Sequence, residues 1–186
     1  GSHFSLDFSR AEDIKALFAF INDKFGRLDV LVNNVAYTKN ESILDCDLET
    51  WQLTIDTNLR SYYLCSHYAA LLMKEKGGGS IVNITIASTR GHKKKLSYSI
   101  SKGGINALTL SAALDLAPFN IRVNAVGVTQ TGTPVGSRTF DGRAYENKKI
   151  PVGHIGDPQD PADMVAFLVS DKAKFIVGAI IPVDVG

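Results

Sequence analysis

Between about Ala11 and Lys24, apolar residues recur at three- and four-residue intervals, at Ile14, Leu17, Phe18, Ile21 and Phe25, and Gly26 follows. This spacing predicts an amphipathic helix that the glycine closes. The period then changes. Leu28-Asp29-Val30-Leu31-Val32-Asn33-Asn34 is a short apolar run without alternation, the pattern of a parallel strand buried on both faces. Glu49 to Lys76 predicts one or two helices ending at Gly77-Gly78-Gly79, and Ser80 to Ile84 predicts a second buried strand. A helix from Ser97 to Leu116, stopped by Pro118, precedes the strand Ile121 to Val126. A helix at about Asp160 to Val169 precedes a last strand, Ile176 to Val183.

Strands separated by helices of this length imply crossover connections, so the expected class is α/β, a doubly wound parallel sheet with helices on both faces. Thr85 to Leu96 and Thr131 to Pro151 break the pattern, and both follow strands. In such sheets ligands bind beyond the carboxyl ends of the strands, so these two loops are expected to border the site. Gly1-Ser2-His3 reads as the remnant of a cleaved purification tag, which leaves 4–186 as a single domain.

Composition narrows the function classes. With 45% hydrophobic and 21% charged residues the chain can bury one substantial core in water. Twenty basic against nineteen acidic residues give a net charge of +1, so no global field draws nucleic acid or a membrane surface. No apolar run approaches the roughly 20 residues of a spanning helix. Cys46 and Cys65 lack metal or redox spacing, which fits a reducing compartment such as the cytoplasm. His67, His92 and His154 show no ligand spacing, so no metal is expected. Lys93-Lys94-Lys95, with Arg90 and His92, reads as a solvated charge run, with attraction of an acidic substrate or phosphate as the other reading.

The chemistry centres on Tyr98-Ser99-Ile100-Ser101-Lys102 at the start of a predicted helix. A spacing of four puts the phenol and the ammonium on one face, within reach of a common ligand. A phenol of pKa about 10 is a poor proton shuttle at neutral pH, and a neighbouring cation stabilises its phenolate.

Together with Asp29-Val30-Leu31-Val32-Asn33-Asn34, Asn58 within Asp56-Thr57-Asn58, Ile121-Arg122-Val123-Asn124 and Pro182-Val183-Asp184, this segment resembles the short-chain dehydrogenase/reductase family, motif by motif and in the family's order. The resemblance implies a Rossmann-like fold, NAD or NADP as cofactor, a carbonyl or secondary alcohol as small-molecule substrate, and a homo-dimer or homo-tetramer. It implies Tyr98 as general acid/base, Lys102 as the residue that lowers its pKa and bonds the nicotinamide ribose, and Asn58 as holder of a water in the proton relay. Asn33 and Asn34 match the turn that lies against the cofactor, with Val35-Ala36 in place of the family's smaller Ala-Gly. Leu6-Asp7-Phe8 resembles the end of the family's third strand, whose Asp touches the adenine, and Thr133 stands where the family's Thr contacts the carboxamide.

Counting from Asn58 places Ile86 where the family has its catalytic Ser, and Ile86 cannot polarise a carbonyl. Alternation along a strand puts Ser88 on the face of position 86 and turns Thr85 away, so Ser88 is the expected substitute and Thr85 the second choice. No Gly-x-Gly-x-x-Gly follows any predicted strand, so the pyrophosphate turn and the first two strands are expected to be missing, as in an N-terminally truncated form with an exposed strand edge. Two function classes follow: an NAD(P)-dependent oxidoreductase, or a catalytically impaired homologue that serves as an oligomeric partner.

Overall fold

A computed structural model describes residues 1–87, 91–129, 131–132 and 151–184. Four parallel strands, β1 (Val30–Asn33), β2 (Gly79–Ile86), β3 (Ile121–Val128) and β4 (Ile180–Val183), form one sheet in the order β1-β2-β3-β4. Val30 pairs with Ser80, Gly79 with Ile121 and Ala125 with Ile180, so the carboxyl ends of all four strands lie along one rim.

Around the sheet lie α1 (Ala11–Phe25), α2 (Leu48–Ile55), α3 (Ser61–Glu75), α4 (Leu96–Leu116) and α5 (Gln159–Val169). Alternation along the buried strands assigns the two faces. Ile81, Ile121 and Val123 pack with Ile14 and Phe18 of α1, Cys65, Ala69 and Met73 of α3, and Ala113 of α4. Val82 and Val126 point the other way, against Leu168 of α5 and Ala173. The expected α/β class with helices on both faces is therefore what the chain adopts.

Most boundaries fall within a few residues of the pattern. Gly26, at φ 64, closes α1 in the left-handed region with its N–H on Asn22 O, a conformation that a side chain would oppose. The last strand is shorter than its apolar run. Asn124 Nδ2 donates to Ile176 O, its Oδ1 accepts the N–H of Ala179, and Gly178 donates to Val123 O, so regular pairing begins only at Ile180. Leu6-Asp7-Phe8 forms no strand: the Asp7 carboxylate accepts from the N–H and hydroxyl of Ser9, making a turn that leads into α1. The hydroxyl of Ser2 accepts from Lys24 Nζ at 2.8 Å on the surface.

The pattern gave no sign of a single π-helical turn, Asp56–Arg60, joining α2 to α3. Such turns insert one extra residue and frequently mark functional positions. Arg60 braces it through Asp56 at 2.9 Å and through the carbonyl of Ser9.

Candidate active site

Asn58 sits in the π turn, fully buried, with both amide donors and its oxygen hydrogen-bonded. Oδ1 accepts the N–H of Tyr37 at 2.7 Å, while Nδ2 donates to Tyr37 O at 2.9 Å and to Ser101 Oγ at 3.0 Å. Ser101 in turn donates to the carbonyl of Tyr98 at 2.8 Å. One buried amide thus ties the loop after β1 to the first turn of α4. Gly104 faces Leu59 of the π turn, and an added Cβ would meet the end of that side chain at 2.7 Å and displace it.

Tyr98 and Lys102 share a face of α4 as their spacing requires, with Lys102 Nζ 5.8 Å from the Tyr98 ring centroid and 5.4 Å from that of Tyr62. Both separations lie in the range of cation–π attraction. Lys102 is 3% exposed, and Nζ donates to Ile84 O at 2.9 Å. Burial pushes its pKa down to about 8. Burial also raises the partly buried phenol of Tyr98 above its ordinary value. In this geometry desolvation of the phenol outweighs the pull of the nearby ammonium.

Tyr62, a core residue at 1% exposure, was missed in the sequence. Its hydroxyl lies 3.1 Å from both Val35 O and Ile84 O, spanning the ends of β1 and β2, and burial raises its pKa. A buried polar chain was missed as well. Asn33 Nδ2 donates to Asn83 Oδ1 at 2.8 Å and to Ser66 Oγ at 3.2 Å, and Asn83 Nδ2 donates to Thr109 Oγ1 at 2.9 Å. The only sequence trace of it is a polar residue inside each of two apolar strands and one inside the α4 pattern.

Of the other expected residues, Asn34 is exposed just past β1, and Asp7 is exposed in its turn, tethered to the π turn through Ser9. Thr85 is buried against α4, where its hydroxyl donates to Lys102 O at 3.2 Å. Ser88 and Thr133 lie outside the described residues. The Lys93 to Lys95 run is not uniformly solvated: Lys93 and Lys94 are exposed, whereas Lys95 is buried and donates to Thr38 Oγ1 at 2.9 Å. Cys46 and Cys65 form no disulfide, and Cys65 lies in the core, where burial pushes its thiol up to about 12 and leaves it unreactive. No helix among the described residues is long and apolar enough to cross a membrane.

Beyond the carboxyl ends of β1 and β2 there is thus a phenol, a buried ammonium with donors to spare, and two strand ends fixed by Tyr62 and Asn58. That arrangement can deliver a proton to an oxygen held near Tyr98 and donate hydrogen bonds from Lys102. Comparison with known proteins places the chain among dehydrogenases and reductases. A family model described as enoyl-(acyl carrier protein) reductase matches residues 2–186. The chain is 36% identical over 182 residues to trans-4-hydroxycyclohexanecarboxylate dehydrogenase of Sinomonas cyclohexanicum, covering 97% of this chain and 68% of that protein. It is 31% identical over 185 residues to the 3-oxoacyl-[acyl-carrier-protein] reductase FabG of Thermotoga maritima, covering 98% and 75% respectively. A crystal structure from Agrobacterium tumefaciens, provisionally assigned as a gluconate dehydrogenase, superimposes on the whole chain and on 75% of its own at a TM-score of 0.92 and 28% identity.

Proposed function

The chain belongs to the short-chain dehydrogenase/reductase family, and from that premise we propose that it is a nicotinamide-dependent oxidoreductase in which Tyr98 exchanges a proton with the oxygen of a carbonyl or secondary alcohol. The observation that carries this reading is the buried Lys102 ammonium beside the Tyr98 ring, on a helix anchored to the sheet ends. Groups whose ionisation burial perturbs, set beside a second titratable group at strand ends, cluster at functional sites.

The residues present fit the nicotinamide and ribose end of the cofactor, and none of them is the glycine-rich turn that would cradle its pyrophosphate. An ammonium carries three donors and one goes to Ile84, so Lys102 has donors for a ribose hydroxyl. Asn34 offers an exposed amide at the end of β1, and Asn33 fixes that strand end from below. Asp7 and Thr133 complete the proposed contacts, to adenine and carboxamide. When bound, the nicotinamide supplies or accepts the hydride. Tyr98 donates its phenolic proton to the developing alkoxide, and Lys102 supports the phenolate left behind. Asn58, its amide spent on Tyr37 and Ser101, serves the relay by fixing the backbone around it. With the Thr85 hydroxyl directed to Lys102 O, Ser88 is the proposed hydrogen-bond donor to the substrate oxygen.

The relatives' named substrates, an alicyclic hydroxy acid and a 3-oxoacyl carrier, set the first panel of compounds. A homo-oligomer accompanies the reading. Leu110 and Leu114, one turn apart on α4, are 47% and 79% exposed, and Tyr63 and Leu71 of α3 are about half exposed. Apolar side chains repeated on neighbouring helices suit a second copy as partner.

A second reading, a non-catalytic oligomeric homologue, is favoured by one observation: Ile86 occupies the Ser position and Thr85 turns to the helix. Fluorescence titration of NADH and NADPH against the chain separates the two. Saturable quenching or enhancement is expected, and no binding at millimolar nucleotide leaves the second reading.

A further inference from the structure

We infer that Glu41 is a positioning residue for the helix that carries Tyr98 and Lys102: its buried carboxylate, brought from the loop after β1, is the N-terminal cap that α4 lacks. The first N–H groups of a helix have no intrahelical acceptor and are normally met by the side chain of the residue just before it. Here that residue is Lys95, which can only donate, and no side-chain cap is made from its position. Glu41 stands in. Its Oε1 accepts the N–H of Ser97 at 2.9 Å and the Ser97 hydroxyl at 2.6 Å. Its backbone joins as well, accepting from Leu96 N–H at 3.3 Å and donating to Lys94 O at 3.2 Å. Lys94 adopts φ 57 to present that carbonyl, a left-handed conformation that a non-glycine residue holds only where its surroundings demand it.

The burial is what separates this contact from an ordinary surface cap. Glu41 is 3% exposed and Ser97 is fully buried. A carboxylate out of water is costly, and here the partial positive charge of the helix N-terminus and the charge of the nearby Lys95 offset it. Only one oxygen serves the cap, since Oε2 is buried without a hydrogen bond. The same loop is held at two more points, Tyr37 on Asn58 and Thr38 on Lys95. Residues 37–41 therefore lock onto the first turn of α4, and Tyr98 directly follows the capped Ser97. The functional consequence rests on Tyr98 being the proton donor; the positional one does not.

The test uses the 186-residue chain labelled with 3-fluorotyrosine, its Tyr98 resonance assigned by Tyr98→Phe, in wild type, Glu41→Ala, Glu41→Gln and Ser97→Ala. Glu41→Ala is expected to shift or broaden the Tyr98 signal while the Tyr68 signal on α3 stays in place. Glu41→Gln, which keeps an acceptor oxygen, is expected to restore it. Ser97→Ala, which keeps the backbone bond and folds if the alanine variant does not, is expected to give a smaller shift in the same signal. In turnover, Glu41→Ala is expected to lower kcat about tenfold or more with the KM for nucleotide within about twofold, and Glu41→Gln to recover it. An unmoved Tyr98 signal in both Glu41→Ala and Ser97→Ala, or all tyrosine signals moving together, would overturn the inference. The spectra need no turnover, so a wild-type chain that reduces nothing removes the oxidoreductase reading alone.

Discussion

Lys102 donates its ammonium to the carbonyl of Ile84 at 2.9 Å, and Tyr62 brings its hydroxyl to within 3.1 Å of the same oxygen. A cation and a phenol converge on one strand-end carbonyl inside the protein, so each contributes differently to stability and to chemistry.

Lys102→Met is expected to stabilise the fold while removing activity. The folded-state pKa of Lys102, about 8, lies below its ordinary 10.5, so between those values the unfolded chain binds more protons and stability rises with pH. Below pH 8 the full cost of the buried charge, on the order of 3 kcal/mol, is present. After loss of the Ile84 bond, a net gain of about 1–2 kcal/mol is expected for Lys102→Met at pH 7. Urea unfolding at pH 7 and at pH 10 checks it, with the gain shrinking at the higher pH. A pH-independent difference would contradict the assignment.

Tyr62→Phe leaves the hydrophobic packing in place and removes a hydroxyl shared by Val35 O and Ile84 O. Loss of a buried donor is expected to cost about 1–2 kcal/mol, read as a lower midpoint in urea with an unchanged slope.

Asn83 stands in the middle of the chain from Ser66 and Asn33 to Thr109. Asn83→Ala strands one Nδ2 proton of Asn33 and takes a donor from Thr109 Oγ1, while their bonds to Ser66 and Ile105 O remain, and about 1–3 kcal/mol of destabilisation is expected. The double variant with Asn33→Ala is expected to lose less than the sum of the two single variants, because the second change removes a group already stranded. Additive losses would show that the amides act independently.

Leu114→Glu, at 79% exposure, is expected to leave the monomer fold intact and to shift sedimentation toward smaller species. An unchanged sedimentation profile would place the interface elsewhere.

The sheet and its helices were legible because parallel strands and amphipathic helices write their periods into local sequence. The Tyr98 and Lys102 pair was legible for the same reason, since four residues on a helix are neighbours. What was not legible rests on contacts between distant residues. Glu41 reaches Ser97 across 56 positions, Asn33 reaches Asn83 across 50 and Tyr62 reaches Val35 across 27. No local pattern marks them. The π turn was hidden because an inserted residue alters the register of an apolar face without interrupting it. The burial of Thr85 against α4 depends on where that helix packs, which strand alternation alone does not reveal.

Proton transfer by Tyr98 is tested most directly by carbonyl-dependent oxidation of NADH or NADPH by the wild-type chain beside Tyr98→Phe. The expected result is turnover by the wild type and a loss of at least about a hundredfold in kcat for Tyr98→Phe, with nucleotide binding by fluorescence unchanged. Equal rates in the two proteins, or no carbonyl-dependent oxidation by the wild type across ketones that resemble the relatives' substrates, would contradict it.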